Sequence, residues 1–323
     1  MLEMSKSLRY YCGRFSQLRV DRTRGIAPHK PILLLSIIDL IEQGLLRENR
    51  IFLSPELIAT FLKFWNQLGS DGHRADIALP FFHLRGDEFW HFKANPGYEE
   101  AIASRQVRLK SIKALREAIQ YAYIDDELFE HLQAPQSRLS LVSALTTAWF
   151  SDNADSIQRL WQIDALQDLE NQLRQRGGAT YQPEDLKDEA RTVVRDAAFR
   201  RVIVSIYEHR CAFCGLQMID AFAQNIVDGA HVKPFAIFYD DRIDNGISLC
   251  KNHHWAFDRG WFSIEDDYTL LISNDLREES PNAIPMRKFQ GQPIHLPALE
   301  QYHPRLEALR WHRENVFKGP RIA

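Results

Sequence analysis

Hydrophobic positions fall in blocks whose spacing separates helical from extended segments. "HKPILLLSIIDLIEQG" (29–44) is apolar on nearly every side, with Pro31 in its first turn and Gly44 beyond its last apolar position. This predicts a buried helix, because Pro is tolerated where the first amides lack intrahelical partners and Gly suits the turn that ends a helix. "SPELIATFLKFWNQLG" (54–69) repeats the grammar, with Ser54 as N-cap, Pro55 at the first helical position and Gly69 at the stop. "PFFHLRGDEFWHF" (80–92) reads as two short aromatic strands around a turn at Arg85, Gly86, Asp87 and Glu88. Helical period then runs from about 98 to 173, through "SIKALREAIQYAYI", "SRLSLVSALTTAWF" and "SIQRLWQIDALQDLENQL".

"RQRGGATYQPED" (174–185) is polar, with a Gly pair and a Pro, and predicts a linker. After it, "DLKDEARTVVRDAAFRRVIVSIYEHR" forms an amphipathic helix that leads into a group of cysteines. The pattern predicts an α+β protein of two domains. A mainly helical N-terminal domain with a short β-hairpin covers 1–173, the linker 174–185, a second domain 186–285, and a tail over 286–323 packs on that second domain. A chain of 323 residues is long enough for two such cores.

Composition changes this picture little: 45% hydrophobic and 26% charged residues are ordinary for a globular chain. The longest apolar run, "PILLLSIIDLI", is too short to span a bilayer and contains Asp39, so no membrane partner is expected. The N-terminus is polar and basic without an apolar stretch, which points away from a signal peptide and toward the cytoplasm. A net charge of −3 does not announce a nucleic-acid binder, but its distribution does more. The first 35 residues carry Lys6, Arg9, Arg14, Arg19, Arg22, Arg24 and Lys30 against Glu3 and Asp21, and "SRQVRLKSIKALR" (104–116) contains no acid. A DNA-facing surface backed by an acidic one would look like this, as would ordinary solvated helix faces.

The four cysteines are at 12, 211, 214 and 250. Cys211 and Cys214 form one two-residue-spaced knuckle and Cys250 with His253 forms another, with 35 residues between them. Three thiolates and one imidazole make a closed tetrahedral set, which suits a structural zinc ion rather than a disulfide framework. His254 follows His253 directly, and adjacent side chains on a helix point about 100° apart. One metal would rarely suit both, so His254 is expected to have a separate task. Upstream lie Asp228, within the strand-like "NIVDGA", and His231 directly after it, and Asn245 stands 14 residues after His231 and 9 before His254.

This His-Asn-His order, threaded between two zinc knuckles over roughly 190–275, resembles the HNH endonucleases. The resemblance implies a ββα-metal fold around one catalytic cation, magnesium or manganese. It implies that His231 is the general base, that Asn245 braces the loop orienting that base, and that His254 is a metal ligand. Asp258, four residues later on the same helix face, is a second candidate ligand and Asp228 a third. The chemistry is consistent with this, since phosphodiester hydrolysis needs an activated water and a hard cation on the phosphate. One residue departs from the pattern: many such proteins place His or Asp just before the base, and here it is Ala230.

"APHKPILLL" and "LPFFHLRGDEFW" are similar to the sulfur-binding domain of phosphorothioation-dependent restriction endonucleases, which precedes an HNH domain. "HLPALEQYHPRLEALRWHRENVF" is similar to the tail that follows it. The resemblance implies that double-stranded DNA carrying a phosphorothioate is recognised by His29, Lys30, Leu79, Pro80, Phe81 and His83. Cations would hold the phosphate charge while an apolar wall accepts sulfur, with a preference on the order of 1–3 kcal/mol. Leu79 stands where the family often has Tyr, and Lys30 where some members have Arg. Methylated or unmodified DNA, or a non-cleaving zinc-stabilised DNA-binding module, remain the alternative readings. A double-strand cut needs two HNH sites, which is consistent with a homodimer.

Overall fold

The computed structural model describes residues 6–104, 108–220, 225–279 and 284–319. Residues 105–107 of the basic run and the last four residues of the tail lie outside them. The chain divides into two compact units, 1–168 with 188–194, and 169–187 with 195–323.

The first unit contains helices α1 (Leu8–Ser16), α2 (His29–Glu42), α3 (Pro55–Leu68) and α4 (Ala78–His83), then strand β1 (Trp90–Ala94). It continues with α5 (Glu99–Ala103), α6 (Ile112–Ala118), strand β2 (Ile119–Ile124), α7 (Asp126–Gln133), α8 (Pro135–Trp149) and α9 (Ala154–Leu160). Its axis is α2, buried at every position from His29 to Ile41 and packed against α3, α4, α7 and α8. A helix that is apolar all round has no face for solvent, so its neighbours must enclose it. Its buried acid, Asp39, has no exposed surface and is satisfied by the Lys63 ammonium at 2.5 Å and the Gln162 amide at 2.8 Å. Ser54 caps α3 by accepting the Leu57 amide, and Gly44 takes φ +70° just past α2.

The segment 80–92 differs from its expected pair of strands. Asp76 accepts the Ala78 and Leu79 amides and so starts α4, and Pro80 falls in the first turn, where no N–H is missed. A 3-10 turn at Leu84–Asp87 follows, then the single strand β1. Its antiparallel partner is β2, from "IQYAYI", inside the stretch whose period read as helical. Trp90 pairs with Ile124 and His91 with Tyr123. Aromatic and β-branched residues favour a strand once an edge is available, and a local pattern does not reveal a partner 30 residues away.

Helix α10 (Ala165–Arg176) leads into the second unit, and α11 (Glu189–Ile206) belongs to it from Arg195 onward. Strand β3 (Val227–His231), short helix α12 (Phe235–Phe238), strand β4 (Gly246–Cys250) and helix α13 (Lys251–Asp258) follow, then β5 (Phe262–Ile264), β6 (Leu270–Ile272) and α14 (Leu306–Asn315). Strands β3 and β4 pair antiparallel with His231 opposite Gly246, and α13 rises directly from the end of β4. The hairpin lies close against α11 because two positions carry no side chain. A Cβ at Gly229 would sit 2.8 Å from the Arg200 backbone, and one at Gly246 would sit 2.2 Å from Ile203. Phe199, Ile203, Tyr207, Ile247, Leu249, Phe257, Phe262 and Leu309 form the core between these elements. No helix among the described residues is long and apolar enough to cross a membrane.

Helix α14 is fastened by His312, which is 2% exposed. Its ring lies flat on Phe257 at 3.8 Å; Nδ1 accepts the Ser263 hydroxyl at 2.8 Å and Nε2 donates to the Phe257 carbonyl at 3.1 Å. Burial pushes its pKa down to about 4. A histidine whose folded pKa lies below its unfolded value of about 6.5 contributes stability that is full above that value and lost as pH falls toward 4. The second unit should therefore lose up to about 3 kcal/mol between pH 6.5 and 4 from this group. Denaturant unfolding across that interval should show a shallower loss in His312→Gln; equal slopes would assign the acid sensitivity elsewhere.

Candidate active site and metal centre

Cys211 and Cys214 sit in the turn after α11, Cys250 ends β4, and His253 lies in the first turn of α13. One ligand atom from each lies within 4.8 Å of all the others, and Cys250 Sγ is 3.1 Å from His253 Nδ1. The knuckle closes through the Gly215 amide, which donates to the Cys211 carbonyl at 2.8 Å, with Gly215 at φ +69°. Phe213 stacks on the His253 ring at 3.9 Å and shields it. Soft donors converging in a mostly buried pocket, with no fifth group among the described residues, fit zinc held for structure.

His254 faces elsewhere. Its Nδ1 lies 3.7 Å from Asp228 of β3 and its Nε2 lies 3.7 Å from Asp258 of α13. The His254 imidazole and the Lys251 ammonium hold the Asp228 carboxyl down at about 2. The two carboxylates thus address opposite nitrogens of one ring and do not converge on one point. Only Asp258 shares the cleft: His231, Pro234, Phe235, His254 and Asp258 line a depression of about 270 Å³, and Asp228 does not. Asn245 is fully buried. Its amide nitrogen donates to the carbonyls of Lys233 and Asp240 at 3.1 and 3.0 Å, and its oxygen accepts the Lys233 amide at 2.9 Å. The loop between β3 and β4 is thereby tied to the first residues after His231.

Sequence reasoning passed over the residues that hold His231. Its Nε2 is 2.7 Å from Oδ1 of the fully buried Asp241, whose other oxygen pairs with Arg195 of α11. The ring lies on Phe199 at 4.0 Å with an interplanar angle of 1°. The run "YDDRIDN" was the available signal: an acid-rich loop joining two site elements has to place its carboxylates somewhere.

In the first unit, the six N-terminal candidates lie on α2 and α4, which pack against each other. Four of them are buried. His29 Nε2 donates to the Arg74 carbonyl at 2.9 Å, and burial lowers its pKa. Lys30 Nζ donates to Asp87 at 2.6 Å in a buried pair, and Asp87 also accepts the Arg19 amide at 3.0 Å. Pro80 is buried, and Phe81 is buried against Trp90. Leu79 and His83 are exposed on the outer side of α4. Asp87 was the residue missed here, since a turn acid gives no sign in sequence of the cation it will meet.

The two histidines should separate in a metal assay. Cys214→Ala should strip the tightly bound ion and unfold the second unit, because binding at such a site is folding free energy. His254→Ala should keep that ion and the native circular dichroism. Equal loss of metal from both variants would contradict the division of labour.

Residues 211–265 match the HNH endonuclease family model, and residues 9–160 match that of the ScoMcrA-like DNA sulfur-binding domain. No curated protein matches the chain. Among solved structures, the modification-dependent TagI restriction endonuclease is 22% identical over 37% of this chain and 38% of its own, with a TM-score of 0.28. The sulfur-binding domain of SprMcrA, complexed with phosphorothioated DNA, is 16% identical over 48% of this chain and 94% of its own, with a TM-score of 0.37. The type IV phosphorothioation-dependent restriction endonuclease ScoMcrA is 12% identical over 78% of this chain and 94% of its own, with a TM-score of 0.33. The assignment rests on the two family models, which lie in the order the motifs require: the chain joins a ScoMcrA-like DNA sulfur-binding domain to an HNH endonuclease domain.

Proposed function

We propose that the protein is a modification-dependent DNA endonuclease that binds phosphorothioated double-stranded DNA and hydrolyses a phosphodiester bond nearby. The observation that carries this reading is the cleft in which His231 from β3 meets His254 and Asp258 from α13. That cleft belongs to a domain with a second, closed donor set of its own. Cys211, Cys214, Cys250 and His253 would hold a zinc ion that ties the strand end to the helix start.

His231 takes the proton of the attacking water, and Asn245 keeps the loop that follows it in place. His254 presents Nε2 to the cleft beside Asp258, while Asp228, with Ala230 in place of a nearer ligand, orients the ring from the Nδ1 side. A magnesium or manganese ion held by His254 and Asp258 would stabilise charge on the phosphate and the leaving oxygen. In the first unit, His29 and Lys30 of α2 with Leu79, Pro80, Phe81 and His83 of α4 read the modification, Leu79 and His83 being the exposed members. The Leu79 side chain offers sulfur an apolar contact that a hydrated phosphate oxygen gains nothing from. Two copies of the chain would supply the two sites that a double-strand cut requires.

Matched plasmids with and without phosphorothioate, incubated with magnesium or manganese, test this directly. The modified plasmid should be cut and its unmodified twin spared. His231→Ala should lower the rate about 100-fold or more while gel shifts on modified DNA persist, as removal of a general base usually does. Equal cutting of both plasmids would refute sulfur recognition and leave the nuclease. Binding by the wild type without cutting would favour the non-cleaving module that Ala230 raises.

A further inference from the structure

We propose that Asp241 is the positioning residue for His231, and that it selects the tautomer whose Nδ1 faces the cleft as a base. The inference rests on the nuclease reading of that cleft and adds a residue to it. A carboxylate can only accept hydrogen bonds, so the 2.7 Å contact from His231 Nε2 to Asp241 Oδ1 puts the imidazole proton on Nε2. The lone pair is then on Nδ1. Asp241 lines no part of the cleft and has no exposed surface, so it reaches substrate only through His231.

Each member of the chain behind His231 is itself held. Asp241 Oδ2 pairs with the Arg195 guanidinium, and the Asp241 amide donates to the Ala179 carbonyl at 2.8 Å. Arg195 lies over the Phe235 ring at 3.8 Å and near Tyr181 at 5.6 Å. The His231 ring cannot turn freely, because Phe199 covers one face at 4.0 Å and Phe235 stands 5.4 Å away. An ion pair serving only stability would need Asp241 and Arg195 alone; here the second carboxylate oxygen is spent on the histidine. In the reaction, water gives its proton to Nδ1 as its oxygen bonds to phosphorus. The bond from phosphorus to the leaving sugar oxygen breaks, and that oxygen takes a proton from solvent.

Arg195 makes Asp241→Asn an informative variant. The guanidinium demands an acceptor, so the amide oxygen turns toward Arg195 and the NH₂ toward His231 Nε2. That nitrogen must then accept, which moves the imidazole proton to Nδ1 and blocks the base. The experiment uses the full-length protein with ¹⁵N-labelled histidine, the His231 resonances being identified by their loss in His231→Ala. The wild type should show His231 as the Nε2–H tautomer, and Asp241→Asn should show Nδ1–H. Cutting of phosphorothioated plasmid with manganese should fall by a factor of about 100 or more in kcat, with DNA affinity and bound zinc unchanged. An Nδ1–H signal in the wild type overturns the assignment, as does a full rate in Asp241→Asn or a lost rate with Nε2–H retained. Should Asp241→Asn fail to fold, the wild-type spectrum alone decides. A wild type that cuts no DNA defeats the nuclease reading but leaves the tautomer measurement to judge Asp241.

Discussion

Consecutive residues on a helix diverge by about 100°, and at His253 and His254 that divergence sends one ring into the thiol cluster and the other into the cleft. Helix α13 is only eight residues long, too short to persist alone in water. It is anchored at its start by Cys250 and His253 and near its end by Phe257, which stacks on His312 of α14. His254 and Asp258, one turn apart, share another face of the helix. The same short element therefore carries a closed donor set on one side and an open one on the other.

Opposite it, the loop joining β3 to β4 has little regular structure to satisfy its backbone, so buried side chains do so instead. Asn245 ties the residues after His231 to Asp240. Asp240 is in turn gripped by Arg242 and by Arg305, which also holds Asp244 at 2.7 Å. Burial works against the charge on Asp240, yet the two guanidinium groups outweigh it and lower its pKa. This polar network, the stacking of His231 on Phe199 and the tilted Phe235 ring beside it leave the cleft wall little freedom to move. The orientation of the His231 ring is thereby fixed before anything enters the cleft.

Local spacing made the knuckles and the His-Asn-His thread legible, because each depends on residues a turn or a strand apart. The helices α2 and α3 were legible for the same reason, through Pro31, Ser54, Pro55 and the apolar period. What escaped the sequence depends on where the chain returns. Strand β1 pairs with β2 across a separation of about 30 residues, and "IQYAYI" continues a helical pattern until that edge is known. Lys30 looked like a cation waiting for a phosphate, but Asp87 meets it inside the fold. Asp241 lay unread among three nearby acids because only the loop path shows which of them reaches the histidine.

Two adjacent histidines serving two different ions, one structural and one in the cleft, would be told apart by where each metal binds. Anomalous diffraction from crystals grown with zinc and soaked in manganese, recorded at both absorption edges, tests this division most directly. A zinc peak is expected among Cys211, Cys214, Cys250 and His253, with a separate manganese peak beside His254 Nε2 and Asp258. A single site shared by both histidines, or manganese on the Asp228 side of the ring, would contradict it.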